Sequence, residues 1–354
     1  MKMHGERVVL FHGPDVFDKG HARNLVNVLG EANFYQAGTM GRTAAHDNGL
    51  DMVISIPDLP GKVIGRSKDI GGLIIAICPR TANSGKSFVK IILDNAGIDA
   101  PVMHLDFRTM SYVVWQGSFP EEIFEKIRGM GLSPDQPLER IGHFIFDGKR
   151  VTRYLQDTRY GDFVLCNNII IGKAIGPKVS ITAEDGRIVD TNDIDVKEHG
   201  IEKLVAFGHL DILKAKCCST SNLREDAVKP RIMESKGNGV VFIHHAGTRV
   251  FDLSEGCEGV VAIGDDTSRI VGDILYRFRL PVIAITDGDR DGLIKSDRFS
   301  SSSVIYVVDH DDDVGNIIQK DVFLSDLKLD LPFKDVKEII HERIADRVIK
   351  SIEF

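Results

Sequence analysis

The chain has 354 residues, 43% hydrophobic and 27% charged, with a formal net charge of −8 at pH 7. These are the proportions of a globular protein long enough for two or three domains, each with its own core. The negative balance argues against a simple nucleic-acid binder, which needs a basic footprint to displace phosphate counterions, so nucleic acid is not expected as a partner.

No apolar leader follows Met1-Lys2-Met3-His4, and no apolar run approaches the roughly 18 residues of a spanning helix, so a cytoplasmic protein without a membrane partner is expected. Arg7 to Phe11 reads as a strand, His21 to Glu31 as a helix with Leu25, Val28 and Leu29 on one face, and Asn33 to Ala37 as a second strand. Asp51 to Ser55 and the fully apolar Leu73 to Ile77 follow as further strands, the latter patterned for burial on both faces. This order predicts an N-terminal parallel-sheet α/β domain over 1–130.

From 131 to 235 the pattern changes to short strands such as Phe163 to Cys166, Asn168 to Ile171 and Val179 to Thr182, divided by turns such as Glu184-Asp-Gly-Arg187. A small antiparallel β-rich middle unit is expected there. Over 236–354 the strand–helix rhythm returns in Val240 to Ile243, Val260 to Ile263, Val282 to Ile285 and Val304 to Val308, spaced to allow one crossover each. In the tail, Val336, Ile339, Ile340, Ile344, Val348 and Ile352 predict one amphipathic helix from Phe333 to Ile352.

The five cysteines are odd in number and include no C-x-x-C pair, which argues against a disulfide framework and a zinc ribbon. Most read as reduced structural thiols, while Cys217-Cys218 before Ser219-Thr-Ser-Asn222 is a candidate reactive or metal-binding turn.

The acidic strand ends of the last domain carry the most chemical information. Asp265-Asp266 end its second strand, Asp287-Gly-Asp289 its third, and Asp309-His-Asp-Asp-Asp313 follow its fourth. Between Asp252 and Lys320 fourteen carboxylates face seven cationic side chains, a local balance of −7. In a parallel sheet these turns share the carboxyl edge, where open α/β sheets bind ligands. Clustered carboxylates repel unless protonated or neutralised, and a hard cation such as Mg²⁺ suits an oxygen-rich site. Asp265, Asp287, Asp289 and Asp309 are therefore the expected metal ligands. At the first strand end His244-His245 are candidate catalytic residues, as a ligand or as a proton shuttle near neutral pH. A histidine ligand would shift the preference towards Mn²⁺ or another transition metal.

On Leu280-Pro-Val running into Thr286-Asp-Gly-Asp289, the C-terminal part resembles the Toprim fold of topoisomerases and primases, in particular the type VI topoisomerase A subunit. The resemblance implies a Rossmannoid α/β domain in which Asp287 and Asp289 form the Asp-x-Asp that holds Mg²⁺. The glutamate that this family places on an earlier strand is not matched, since the first turn reads His244-His245-Ala-Gly247. Tyr154 and Tyr160 read as packing or loop residues, so strand cleavage is not implied. The whole chain also resembles a conserved, uncharacterised archaeal family found largely in methanogens, on His12-Gly-Pro-Asp15, Ala37-Gly-Thr-Met-Gly-Arg42 and the run from Gly264 to Asp289.

Two glycine-containing segments are candidate anion sites. Cys78-Pro-Arg-Thr-Ala-Asn-Ser-Gly-Lys-Ser87 joins a buried strand to a helix expected over Phe88 to Asn95 and ends as a phosphate-binding loop does, but Arg80 replaces that loop's first glycine. Ser84, Gly85, Lys86 and Ser87 are the residues that would grip a phosphate through N–H groups, ammonium and hydroxyls. Gly38 and Arg42, with Thr39 and Thr43, open another helix and could hold a phosphate or carboxylate through a guanidinium fork.

The reading that unites these features is a divalent-metal-binding protein, with phosphoryl transfer or hydrolysis on a nucleotide or phosphorylated metabolite as its chemistry. Its rival is a non-catalytic small-anion-binding or regulatory protein with a degenerate Toprim-like site.

Overall fold

The computed structural model describes residues 3–56, 60–67, 70–81, 84–138, 144–156, 158–167, 169–206, 208–219, 229–244, 249–288 and 298–354. The chain is mixed α/β and divides into two compact units, Met1–Val228 and Lys229–Phe354. No helix among the described residues is long and apolar enough to cross a membrane.

The first unit opens with β1 (Val8–His12), α1 (Asp15–Asp18), α2 (His21–Leu29), β2 (Asn33–Ala37), α3 (Thr39–Asp47), β3 (Ile54–Ile56) and α4 (Pro60–Arg66). It continues through β4 (Leu73–Ile77), α5 (Ser84–Ala96), β5 (Val102–Asp106), β6 (Ser111–Gln116), α6 (Glu121–Gly129) and β7 (Ser133–Pro134). These strands make one seven-stranded sheet in the order β3-β2-β1-β4-β5-β6-β7, parallel from β3 through β5. All five residues of β4 and of β5 are buried, because helices cover both faces. Strand order reverses between β1 and β4, which opens a crevice at their carboxyl ends.

The same unit holds two antiparallel sheets built from β8 (Phe144–Asp147), β9 (Arg150–Tyr154), β10 (Phe163–Cys166), β11 (Ile169–Ala174), β12 (Ser180–Glu184), β13 (Arg187–Asn192), β14 (Ile194–Val196), α7 (Glu198–Ala206) and β15 (Cys217–Ser219). Their orders are β14-β11-β10-β15 and β13-β12-β9-β8, and Val164, Cys166 and Ile171 of one share a core with Ile181 and Ala183 of the other. Cys217-Cys218 lie on strand β15 and not in a turn, so their side chains point to opposite faces and cannot grip one ion together.

The second unit runs β16 (Val240–His244), α8 (Val250–Leu253), β17 (Gly259–Ile263), α9 (Asp265–Tyr276), β18 (Val282–Thr286), β19 (Val304–Val308), α10 (Asp311–Ile317), β20 (Lys328–Leu329), α11 (Phe333–Ile344) and β21 (Val348–Glu353). A π-helical turn over Ile318–Val322 extends α10. The sheet order is β20-β16-β17-β18-β19-β21; the four central strands are parallel and the two edge strands antiparallel to them. From β19 the chain crosses to the far edge through α10 and returns through α11, so Val314, Ile318, Val336 and Ile340 cover one face of the sheet.

The tail departs from the single helix that its periodicity predicts. Helix α11 stops at Ile344, a 3₁₀ turn spans Ala345–Arg347, and β21 pairs with β19. An i, i+4 pair such as Val348 and Ile352 shares a face in a helix and equally in a strand, so the spacing alone could not separate the two. The open edge of β19 decides the matter, since its unpaired N–H and C=O groups need partners.

Candidate metal site at the carboxyl edge of the second sheet

The parallel strands of the second unit end level with one another. His244 pairs with Ile263, Ile263 with Ile285, and Ile285 with Tyr306. Beyond β17, Gly264 adopts φ 96° and donates its N–H to Ile285 O at 2.9 Å, a left-handed turn that starts α9 with Asp265 in its first turn. Beyond β18, Asp287 is followed by Gly288 at φ 116°. Beyond β19, Asp311 opens α10 on the face that α11 also covers.

Asp265, Asp287 and Asp311 converge, each offering one carboxylate oxygen within 4.8 Å of the others. Asp311 is 8% exposed, and Asp265 and Asp287 are half-buried. A Cβ on Gly264 would stand 3.9 Å from Asp311 Oδ2, which shows how closely the α10 carboxylate approaches the β17 turn. Carboxylates this close repel one another, a cost that a cation or a paired basic group relieves. The first-turn position of Asp265 on α9 offsets part of that cost through the helix dipole.

His244 Nε2 lies 3.2 Å from Asp312 Oδ1, next to Asp311 on α10. Thr286 Oγ1, enclosed at the end of β18, has no hydrogen-bond partner among the described residues. Asp309 turns away from the three carboxylates; its Oδ1 accepts the His310 N–H at 2.9 Å and lies 3.8 Å from Arg347 Nη1. Asp289 and His245 lie outside the described residues.

Sequence reading therefore missed Asp311 and Asp312 in favour of Asp309. The acidic run from Asp309 to Asp313 was the available signal, but which member faces the cluster depends on where α10 begins.

The glycine segments of the first unit are arranged differently. Ser84, Gly85 and Ser87 are buried in the first turn of α5, with Ser84 Oγ donating to Thr81 O at 2.9 Å. Lys86 Nζ is 2.5 Å from Asp135 Oδ2, and the Lys86 ammonium holds the Asp135 carboxyl below its ordinary range. A Cβ on Gly85 would stand 2.7 Å from Asp106 Oδ2, so this turn closes directly onto a carboxylate of its own chain. Burial pushes the Asp106 carboxyl up, although Oδ1 accepts the N–H groups of Arg108 and Thr109 at 2.8 and 3.0 Å.

Gly38, at φ 91°, begins α3, and its carbonyl accepts the Arg42 N–H at 3.0 Å. His12 lies beside Gly38 and stacks on Phe88 of α5 at 4.2 Å, so its ring joins the two candidate anion loops. Enclosure of that ring drives the His12 pKa down to about 4.

Residues 9–326 match the family described as "Uncharacterized protein conserved in archaea (DUF2117)". The chain is also 32% identical over 336 residues to a protein of Methanocaldococcus jannaschii described as "Uncharacterized protein MJ0065", covering 90% of this chain and 91% of that one. No solved structure matches the chain.

Proposed function

The chain belongs to that archaeal family, and we propose that it is a divalent-metal-binding protein whose Asp265, Asp287 and Asp311 hold Mg²⁺, with Mn²⁺ as the alternative ion. The observation that carries this reading is the convergence of the three carboxylates from three consecutive strand ends. Oxygens of an octahedral Mg²⁺ shell lie about 3 Å apart when cis and about 4.2 Å when trans, so three carboxylate oxygens within 4.8 Å of one another would need to close only modestly to share such an ion. In the same reading the second unit is Toprim-like, with Asp287 and Asp289 as its Asp-x-Asp.

The substrate proposed is a nucleotide or phosphorylated metabolite, because a cation among acidic side chains can bridge them to phosphate. The ion would neutralise developing charge on a phosphoryl group during transfer or hydrolysis. With Nε2–H donating to Asp312, His244 is oriented and Nδ1 becomes its basic nitrogen, suited to accept a proton. The rival reading, a non-catalytic anion-binding or regulatory protein, draws on His244 standing where the resembled family has glutamate.

Calorimetric titration with Mg²⁺ and Mn²⁺ tests the site, comparing wild type with Asp287→Asn and Asp311→Asn and using Asp309→Asn as the control. Loss of binding in the first two and its retention in the third is expected; equal binding in all four removes the proposal. A panel of nucleotides and phosphorylated metabolites then separates the two readings, since absence of metal-dependent turnover leaves the binding protein.

A further inference from the structure

Cys166 and Cys217 face each other across β10 and β15, with their Sγ atoms 3.6 Å apart. The next pair along, Asn167 and Lys216, is joined by Asn167 N–H to Lys216 O at 2.8 Å. Because hydrogen-bonded and non-hydrogen-bonded pairs alternate in an antiparallel ladder, Cys166 and Cys217 occupy a non-hydrogen-bonded position, where Cα atoms are about 4.5 Å apart. That spacing lies inside the range of about 4.4–6.8 Å spanned by disulfides. Cys218 pairs with Leu165 and points to the other face, so it does not compete for either thiol.

We propose that Cys166 and Cys217 form a thiol–disulfide exchange site that reacts with small-molecule disulfides and closes reversibly to tie β15, the last described strand of the first unit, to β10. The two residues differ in access: Cys166 is fully buried and Cys217 only partly so. Cys217 is the attacking group. It is the more accessible of the two thiols, and the positive charge of the Arg153 guanidinium favours its thiolate. Arg153 is held there by donating Nη1–H bonds to Ile212 O at 3.1 Å and to Ala215 O, just ahead of β15.

The Cys217 thiolate attacks one sulfur of the disulfide R–S–S–R, forming Cys217–S–S–R and releasing RS⁻. Cys166 passes its proton to the RS⁻ released beside it, attacks Cys217 Sγ and expels the second RS⁻. Two protein thiols are thereby oxidised and one external disulfide is reduced to two thiols. The Sγ atoms close from 3.6 Å to about 2.05 Å, the length of the new bond.

The test uses the full chain, reduced, freed of reductant and incubated with oxidised glutathione before alkylation and peptide mass mapping. The expected result is loss of two of the five cysteine thiols, a linked Cys166–Cys217 peptide, no glutathione retained on Cys217, and recovery of both thiols with dithiothreitol. Cys166→Ser should stop at the Cys217–glutathione mixed disulfide, whereas Cys218→Ser should behave as wild type. An unreacted Cys217, a glutathione adduct persisting there in the wild type, or a bond to Cys218 overturns the proposal. If Cys166→Ser does not fold, the wild-type map alone decides.

Discussion

Asp265 and Asp287 each stand two residues beyond the paired Ile263 and Ile285, so the register of two neighbouring parallel strands sets their carboxylates side by side. Helix α10 brings Asp311 to the same point from the opposite face of the sheet. Asp311→Asn removes one of the three converging carboxylates and is expected to abolish the stabilisation that saturating Mg²⁺ gives the wild type, about 2.7 kcal/mol at a hundredfold excess over Kd. Chemical denaturation with Mg²⁺ and with a chelator measures it, and an equal Mg²⁺ response in wild type and variant would count against the site.

Gly315 positions the Asp311 carboxylate without contributing a ligand. A Cβ there would stand 2.6 Å from Ile263 Cγ2, in the core below the cluster. Gly315→Ala gains roughly 1 kcal/mol of helix propensity but meets an overpacking cost of about 1–3 kcal/mol, so net destabilisation is expected. Because α10 must shift to relieve the clash, weaker Mg²⁺ binding should accompany it. Calorimetry on a variant with every carboxylate intact checks the link, and unchanged affinity would show that α10 does not hold Asp311 in place.

Lys86 is committed to Asp135, which limits its part in anion binding. Lys86→Ala is expected to leave phosphate affinity unchanged and to lower stability by no more than about 1 kcal/mol, because Asp135 is partly exposed and its ion pair is screened. Phosphate titration with a denaturation curve reads both effects. A large loss of phosphate binding would restore the lysine to a ligand site.

His104 is fully enclosed on β5 and neither ring nitrogen has a hydrogen-bond partner among the described residues. Burial, reinforced by the Lys86 charge, drives its pKa down from 6.5 to about 3. The unfolded chain therefore binds a proton that the folded chain refuses. Its neutral-state stability is fully present above pH 6.5 and is lost as pH falls towards 3, by about 2 kcal/mol between pH 6.5 and 5. His104→Leu should flatten the stability profile in that window by about 1.4 kcal/mol per pH unit. Denaturation at a series of pH values checks the slope, and an identical slope in the variant would place the proton elsewhere.

Strands such as Leu73–Ile77 and Val304–Val308 were legible because a buried parallel strand is an uninterrupted apolar run, and composition alone records that. Asp265 and Asp287 were legible for a related reason, since each follows such a run where a parallel strand must turn. Other features were not local. The choice of Asp311 over Asp309 rests on the phase of α10, and the exit of the tail from α11 into β21 rests on an unpaired strand edge. The juxtaposition of Cys166 with Cys217, and of Lys86 with Asp135, depends on segments far apart in the chain.

The sequence by itself thus determined where strands end and that those ends are acidic, because burial and turn formation select residue types over a few positions. Only the tertiary structure decided which carboxylates meet, which lysine is already paired and which thiols face each other. Those relationships are fixed by register and by the packing of distant elements, which no local pattern of residues encodes.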